Sequence, residues 1–296
     1  MWFVGETAGT PRARALAAAL REAREASGLG VTALARRLNI SHTQISLWEN
    51  GRRIPNTENV AMVLAALGTL PDERERILEL ARNVRERNWL TAGVEGIPAQ
   101  LAGVVECERA ASKITEWIPM GIPGLLQTYD YRRAAARTDG FSDNDIELRV
   151  MVNASRSEVI TRRRNPTEFL ALICEVGLHE VLGSTEVLID QLRHLIDMAQ
   201  RPNITVRVVP LRVGWHPGWN GPFILYDFPK SPAVVYFEHY SSGAFVPTEH
   251  DVSAYRRAID TISALALGPD ESLSLIDKVA TKLEGETDDR SPLAQV

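Results

Sequence analysis

Two short helical patterns stand almost end to end in the segment 32–55, TALARRLNISHTQISLWENGRRIP, and this spacing constrains the fold more than any other feature. The first pattern has one apolar face, made of Leu34, Ala35 and Leu38. Thr32 is expected to cap this helix. Asn39 follows it, and asparagine tolerates the left-handed conformation of a tight turn better than most residues. The chain therefore has to fold back on itself at this point.

The second pattern predicts a helix that is capped by Ser41 and ends at Asn50-Gly51. Ile45 and Trp48 share one face of this helix, and polar side chains cover most of the remainder. Ala35 is small enough to let the two helices cross closely. Such a pair is a helix-turn-helix, whose second helix enters the major groove of DNA. An ordinary helical hairpin in a protein core is the alternative interpretation.

The distribution of charge favours DNA binding over the hairpin. The segment 10–55 contains eight arginines and three glutamates, which gives a net charge of +5. The whole chain carries −5, but residues 1–88 have a net charge of +3 and residues 89–296 have −8. The basic charge is concentrated around the predicted helix-turn-helix, and the acidic remainder is expected to stay off DNA.

The segment 10–70 resembles the Xre family of regulators, which includes phage-repressor-type DNA-binding domains. The residues that carry this resemblance are Ala33-Leu34-Ala35, Ile40-Ser41, Gln44-Ile45-Ser46 and Trp48-Glu49-Asn50-Gly51. The resemblance implies that one set of side chains faces the bases: His42, Thr43, Gln44 and Leu47. A second set is expected to contact phosphates: Thr32, Asn50, Arg52 and Arg53. It also implies a structural pair within the domain, Arg24 and Glu49.

Length and composition predict two domains in a globular chain of 296 residues. We predict a helix-turn-helix domain over 1–90, a linker over 91–98, a mixed α/β domain over 99–284 and a flexible tail over 285–296. No apolar run is long enough for a membrane span, and the N-terminus lacks the pattern of a signal peptide. Cys107 and Cys174 are expected to be buried thiols, which is consistent with a cytoplasmic, nucleoid-associated protein.

The predicted fold class is α+β, with an all-α domain of five helices followed by a mixed domain with about four strands. The five helices comprise the two described above and three others, at 11–26, 56–67 and 72–89. Further helices are expected near 99–116, 129–138, 143–163, 185–199, 248–267 and 270–283. Strand patterns occupy 169–174, 203–213, 223–228 and 234–237.

The stretch IPGLLQTYDYRRA, residues 122–134, carries a second resemblance. Together with other short motifs it resembles a domain that follows the Xre domain in many actinobacterial regulators, over about residues 100–283. Those regulators are described as antitoxin-like and are often encoded beside a short partner protein. The resemblance implies no enzymatic activity.

The second domain offers no convincing catalytic or metal-binding motif. His179-Glu180 lacks the second histidine of a zinc-protease motif, because Gly183 stands at that position. The loop GWHPGWNGP contains Trp215, His216 and Trp219, which are candidates for lining a ligand pocket or a partner groove. A structural turn with its tryptophans packed in the core is the alternative. We therefore predict a protein that is not an enzyme and binds no metal or cofactor.

Taken together, the patterns predict a sequence-specific transcriptional regulator that binds double-stranded DNA as a homodimer on a pseudo-palindromic operator. The long amphipathic helices of the second domain are expected to supply much of the dimer contact. That domain is expected to bind a small partner protein encoded nearby. A one-component regulator that senses a small molecule through the same domain is the alternative.

Overall fold

A computed structural model describes residues 11–84, 99–229, 231–239 and 243–289. Over these residues the protein is α+β, with a helical N-terminal region followed by a region that combines helices with a mixed six-stranded sheet. This confirms the predicted fold class. The predicted linker, residues 91–98, lies outside the described residues.

Five helices form the N-terminal region: α1 (Pro11–Ala26), α2 (Val31–Leu38), α3 (His42–Glu49), α4 (Thr57–Leu67) and α5 (Pro71–Asn83). Local signals set the ends of α4 as predicted, because the Asn56 side chain accepts a hydrogen bond from the backbone N–H of Asn59 at 2.8 Å and Gly68 ends the helix with φ of 69°. One apolar cluster joins all five helices and includes Leu16, Leu34, Ile45, Leu64 and Ile77.

The rest of the chain alternates helices and strands. The helices are α6 (Ala99–Ala110), α7 (Tyr129–Thr138), α8 (Asp143–Thr161), α9 (Thr185–Ala199), α10 (Glu249–Leu265) and α11 (Pro269–Asp289). The strands are β1 (Lys113–Ile118), β2 (Glu168–Cys174), β3 (Ile204–Val209), β4 (Phe223–Asp227), β5 (Val234–Glu238) and β6 (Gly243–Val246). Short 3-10 turns occupy Gly124–Leu126, Glu175–Leu178 and Pro217–Asn220.

The strands form one sheet in the order β3-β2-β1-β4-β5-β6. Strands β1 and β3 both pair with β2 in parallel, with Ile114 opposite Phe169 and Phe169 opposite Ile204. Strands β5 and β6 pair antiparallel, with Val235 opposite Val246. The long connections from β1 to β2 and from β2 to β3 contain helices, as parallel pairing requires.

Two strands were not predicted, and one of them replaces part of a predicted helix. The expected helix over 99–116 ends at Ala110, and β1 begins at Lys113. Strand β1 lies between two neighbours in the sheet and is buried on both faces, so its pattern does not alternate. Its buried residues include the polar Thr115 and Glu116, which obscured the apolar run. Strand β6 has only four residues, too few for a clear period.

The described residues divide into two compact units that do not follow the order of the chain. Unit 1 consists of Met1–Ala111 with Tyr226–Val252, and unit 2 consists of Ser112–Leu225 with Ser253–Val296. Within unit 1, the buried Arg14 of α1 donates to the carbonyl oxygen of Pro232 at 2.6 Å and lies 3.3 Å from the centre of the Phe228 ring. Burial lowers the pKa of Arg14 to about 10.

Helix α11 extends further than the sequence suggests. The predicted tail begins at 285, but the helix continues through Asp289, and residues 290–296 lie outside the described residues. Arg193 of α9 donates to the Glu284 carboxylate at 2.7 and 2.8 Å. This contact between helices supports the last turns, which carry few apolar residues of their own.

Candidate nucleic-acid interface

The turn between α2 and α3 adopts the predicted geometry. Asn39 is left-handed, with φ of 54° and ψ of 42°, which confirms the expectation for this residue. The backbone N–H of Ile40 donates to the carbonyl oxygen of Ala35 at 3.0 Å, which closes the end of α2. Ile40 also packs against the core of the helical region. The direction in which α3 leaves the turn is therefore fixed.

Ser41 caps α3 as predicted. Its hydroxyl oxygen accepts a hydrogen bond from the backbone N–H of Gln44 at 3.2 Å. Thr32, by contrast, does not cap α2. That helix begins at Val31, with Gly30 in extended conformation as the capping residue and no side-chain hydrogen bond. Thr32 lies instead in the first turn of α2, where it is exposed.

Helix α3 is divided between a buried face and an open one. Ile45 and Trp48 are 1% and 3% exposed and belong to the core, which confirms their predicted burial. His42 and Thr43 are exposed at the start of the helix, and Gln44 and Leu47 are half-buried. The four side chains expected to face bases therefore lie on one short helix whose opposite face is anchored in the core.

Arg24 of α1 and Glu49 at the end of α3 form a two-pronged ion pair. The Nε and Nη2 atoms of Arg24 donate to the two carboxylate oxygens of Glu49 at 2.7 and 2.9 Å. The side chains are only 12% and 8% exposed. The hydrogen bonds to Glu49 raise the pKa of Arg24. Such geometry is far stronger than an exposed pair, and it fixes the end of α3 against α1.

Asn50 uses its amide within the protein. Its Nδ2 atom donates to the carbonyl oxygen of Ser46 at 2.8 Å, and its Oδ1 atom accepts from Arg21 at 3.1 Å. Arg21 also donates to the carbonyl oxygen of Glu49. Arg21 was not among the predicted site residues, although it lies three positions before Arg24 and thus near it on α1. The Asn50 side chain therefore helps to join α1 to the end of α3.

The basic loop after α3 is held by its backbone. Gly51 has φ of 65°, and a Cβ atom there would lie 3.7 Å from the Cβ of Ala17, so the loop passes close to α1. The backbone N–H groups of Arg52 and Arg53 both donate to the carbonyl oxygen of Leu47, at 3.0 and 3.1 Å. Both arginines are exposed. Their positive charges therefore lie in solvent just after the C-terminal end of α3.

The tryptophan loop of unit 2 does not have the structure of the alternative interpretation, a turn with its tryptophans packed in the core. Trp215 and Trp219 are 73% and 69% exposed, so they are not packed in the core. His216 is buried, and its ring lies edge-on to Trp117 at 5.4 Å. Trp117 donates to the carbonyl oxygen of Gly218 at 2.9 Å. The contacts of Trp117 with His216 and Gly218 thus anchor the loop, and Trp215 and Trp219 of the same loop lie at the surface.

The cysteines are not equivalent. Cys107 is buried, and burial raises the pKa of its thiol to about 12, so it stays protonated at neutral pH. Cys174 is half-buried, against the expectation that both would be buried. Within the described ranges, no three His, Cys, Asp or Glu side chains come together as a metal site. No helix in the same ranges is long and apolar enough to cross a membrane.

Comparison with protein families identifies both parts of the chain. Residues 15–77 match the model of a helix-turn-helix domain, and residues 101–278 match the model of a domain of unknown function, DUF5753. Searches of curated proteins and of solved structures found no significant match. The chain therefore belongs to the DUF5753 family, and the helix-turn-helix domain that precedes this domain makes it a DNA-binding regulator.

Proposed function

We propose that the protein is a sequence-specific transcriptional regulator of the Xre type and that α3 is its recognition helix. The observation that carries this proposal is the exposed start of α3 on a rigid support. His42 and Thr43 are open to solvent, while Trp48 and the Arg24–Glu49 pair hold the other side and the end of the helix. Side chains at the start of a recognition helix are the ones that reach base edges in the major groove.

The proposed contacts divide into two classes. Thr43 and Gln44 hydrogen-bond to base edges, with His42 beside them, and Leu47 makes an apolar contact such as one with a thymine methyl group. Arg52 and Arg53, with Thr32 on α2, contact phosphates. Asn50 accepts from Arg21 and donates to both the carbonyl and the hydroxyl oxygen of Ser46, so we assign it to positioning rather than to the phosphate contact that the sequence predicted.

A pair of substitutions separates the two classes. With a site selected from random-sequence DNA, Thr43→Ala or Gln44→Ala should weaken specific binding by roughly 1–3 kcal/mol and leave binding to random DNA nearly unchanged. Arg53→Ala should weaken both alike and lower the slope of log K against log salt by about one unit. Equal losses on both DNAs for Thr43→Ala and Gln44→Ala would remove α3 from base recognition.

We further propose that two copies bind a pseudo-palindromic operator as a homodimer. One helix-turn-helix contacts only a few base pairs, and a second copy adds a half-site one helical turn away. Light scattering of the full chain, with and without the selected DNA, measures how many copies are present in solution and on the DNA. If only one copy binds the DNA when the protein is at tens of micromolar, the proposed homodimer is wrong.

For the second domain we propose an antitoxin-like role in which it binds a small partner protein encoded nearby. Support comes from Trp215 and Trp219, because large exposed aromatic side chains are typical of recognition surfaces. Trp215→Ser with Trp219→Ser should abolish binding of the neighbouring gene product. Met120→Ser, at a side chain that is 72% exposed, is the control and should leave binding intact. Undiminished binding by the double variant would exclude the loop as the docking surface.

A second candidate function is the sensing of a small molecule through unit 2. The specific observation in its favour is a cavity of about 320 Å³ in unit 2, which lies within the size range of ligand sites. Either role is compatible with a non-enzymatic regulator in the cytoplasm, associated with the nucleoid.

A further inference from the structure

We propose that the cavity of unit 2 binds an uncharged, mainly apolar small molecule whose single hydroxyl group bonds to His194. The cavity, of about 320 Å³, lies among the 3-10 turn Gly124–Leu126 and helices α7, α8 and α9. The proposal names the site and ligand class of the second candidate function above and rests on that function only for its biological role.

The wall that contains the 3-10 turn is held by side chains rather than by a strand or a helix. Gln191 is fully buried; its amide donates to the carbonyl oxygen of Leu126 at 2.8 Å and accepts from the backbone N–H of Thr128 at 2.7 Å. Asn153 donates to the carbonyl oxygen of Gly124 at 3.0 Å. A wall fixed by buried amides is preorganised, which lowers the entropic cost of binding.

His194 offers the ligand a free hydrogen-bonding group. It lines the cavity on the same face of α9 as Gln191 and Met198, three residues after the first and four before the second. Its imidazole makes no hydrogen bond to any residue that the structure describes, and neither ring nitrogen is among the buried polar atoms that lack a partner. The ring nitrogens are therefore within reach of a ligand atom the size of a water molecule.

The His194 imidazole is neutral at pH 7. Burial lowers its pKa below the ordinary value of 6.5, and the opposing effect of the Asp197 carboxylate is smaller. A neutral imidazole has one N–H donor and one nitrogen acceptor. A hydroxyl group can pair with either nitrogen, because it both donates and accepts.

Two hydroxyl groups of the lining already donate within the chain. Ser157 donates to the carbonyl oxygen of Leu125 at 2.9 Å, and Thr161 donates to the carbonyl oxygen of Ser157 at 3.1 Å. Both hydrogen bonds lie at the α8 side of the cavity. The imidazole of α9 therefore determines where the polar group of the ligand lies.

Among the described residues, the lining offers no free counter-ion to a charged ligand. Arg132 lines the cavity, but it already interacts with another residue of the chain. No aspartate or glutamate in the described ranges lines the cavity, so an ammonium group would lack a partner as well. Moving an unpaired charge out of water is costly. The lining therefore favours an uncharged ligand over both ions.

The remaining lining defines the body of the ligand. Leu125, Val150, Ala154 and Met198 give the cavity an apolar part. Tyr129 lines the cavity while its side chain is 62% exposed, which places it at the opening. Apolar walls with a few fixed polar groups are typical of small-molecule sites.

The stretch IPGLLQTYDYRRA supplies much of this site. Five of the twelve lining residues come from it: Leu125, Gln127, Thr128, Tyr129 and Arg132. Neither the proposed DNA contacts nor the tryptophan loop uses this stretch. The cavity therefore gives it a role that the proposed regulator and partner functions leave open.

The test uses the full chain without DNA and four compounds that share one apolar skeleton. The probe is 3-phenylpropan-1-ol; its matches are the anion 3-phenylpropanoate, the cation 3-phenylpropylamine and propylbenzene, which lacks a polar group. In ligand-observed NMR and calorimetry, the alcohol should bind about threefold to tenfold more tightly than propylbenzene, because it gains one hydrogen bond. Both ions should bind at least about tenfold more weakly than the alcohol.

Matched substitutions place the probe in the cavity. Ala154→Phe fills the cavity and should weaken binding of the alcohol at least about tenfold, whereas Ser155→Phe, at the exposed neighbouring position on α8, should not. His194→Leu should reduce the affinity for the alcohol to that for propylbenzene. His250→Leu, at an exposed histidine of α10, should keep the difference between the two compounds.

Any of four results would overturn the proposal: no binding of the alcohol at about 1 mM, an ion that binds as tightly as the alcohol, binding that Ala154→Phe leaves intact, or an advantage over propylbenzene that is absent or survives His194→Leu. Circular dichroism checks the fold of each variant. If His194→Leu does not fold, the comparison of the alcohol with propylbenzene on the unchanged chain decides the hydrogen bond.

DNA binding is measured on the same preparations, with and without the alcohol. If the alcohol binds in the cavity but leaves DNA affinity unchanged, the sensing function fails and this inference stands. A protein that binds DNA but not the alcohol loses this inference alone, and one that binds the alcohol but not DNA loses only the proposed regulator function.

Discussion

The helix-turn-helix and the cavity wall of unit 2 both present polar groups on a rigid backbone, but they achieve rigidity differently. In the first, several hydrogen bonds are local: Ser41 accepts one from the N–H of Gln44 three residues on, and Asn50 donates one to Ser46 four residues back. In the second, Gln191 holds Leu126 across a separation of 65 residues. Helix α3 therefore combines local hydrogen bonds with packing in the core and with contacts to Arg21 and Arg24 of α1, whereas the cavity exists only when distant helices assemble.

The largest expected effect tests the anchoring of α3. Trp48→Ala should lower the free energy of unfolding by roughly 3–5 kcal/mol, because the side chain fills the core of the helical region. Trp215→Ala is the control, because that ring is 73% exposed, and should change stability by less than about 0.5 kcal/mol. Guanidinium denaturation of the full chain measures both. Similar losses in the two variants would mean that burial does not distinguish these tryptophans.

The next effect concerns the ion pair that joins the end of α3 to α1. Glu49→Gln should cost roughly 3 kcal/mol, because it removes the two-pronged partner of the mostly buried Arg24 and leaves only the 3.4 Å contact with the exposed Glu25. Glu73→Gln breaks the exposed pair with Arg76 and should cost about 0.5 kcal/mol or less. The same denaturation experiment compares them. If Glu49→Gln is as mild as Glu73→Gln, the ion pair of α3 with α1 contributes no more to stability than an exposed pair.

A smaller loss is expected at the cavity wall. Gln191→Ala should cost about 2 kcal/mol, because the Leu126 carbonyl and the Thr128 N–H lose their buried partner. Gln200→Ala removes an exposed amide from the end of α9 and should be nearly neutral. Hydrogen exchange at Thr128 should rise only in the first variant. Unchanged exchange there would show that the wall does not depend on this long-range amide.

The smallest effect is expected to be the same in both regions. Ser41→Ala and Ser184→Ala remove the capping hydroxyls of α3 and α9, which accept hydrogen bonds at 3.2 and 3.4 Å. Each should cost about 1 kcal/mol, because a cap acts within one helical turn. Thermal denaturation of the two variants gives the comparison. A much larger cost at either position would show that capping depends on tertiary context.

Wherever the deciding interactions lie within a few residues, the sequence predicted the structure. Asn39 in the turn, Ser41 at the start of α3 and Gly68 after α4 all adopt the expected conformations, because left-handed backbone and capping depend on the residue and its immediate neighbours. The cap of α2 was misplaced by two residues, at Thr32 instead of Gly30, because Gly30 adopts the extended capping conformation without any side-chain signal. The placement on one helix of the residues that we propose to face bases followed from these local rules.

Tertiary structure alone decided the rest. Strand β1 is buried on both faces by its neighbours in the sheet, so its residues show no alternation that could have separated them from a helix. Which tryptophan is buried, Trp117 or those of the loop, depends on where His216 and Gly218 pack. The cavity in unit 2 depends on Gln191 and Asn153 meeting a turn far from them in sequence. Local sequence encodes the turn and the cap that place α3, whereas the cavity arises only when residues distant in sequence come into contact, because a tertiary contact depends on the whole fold and a cap only on neighbouring residues.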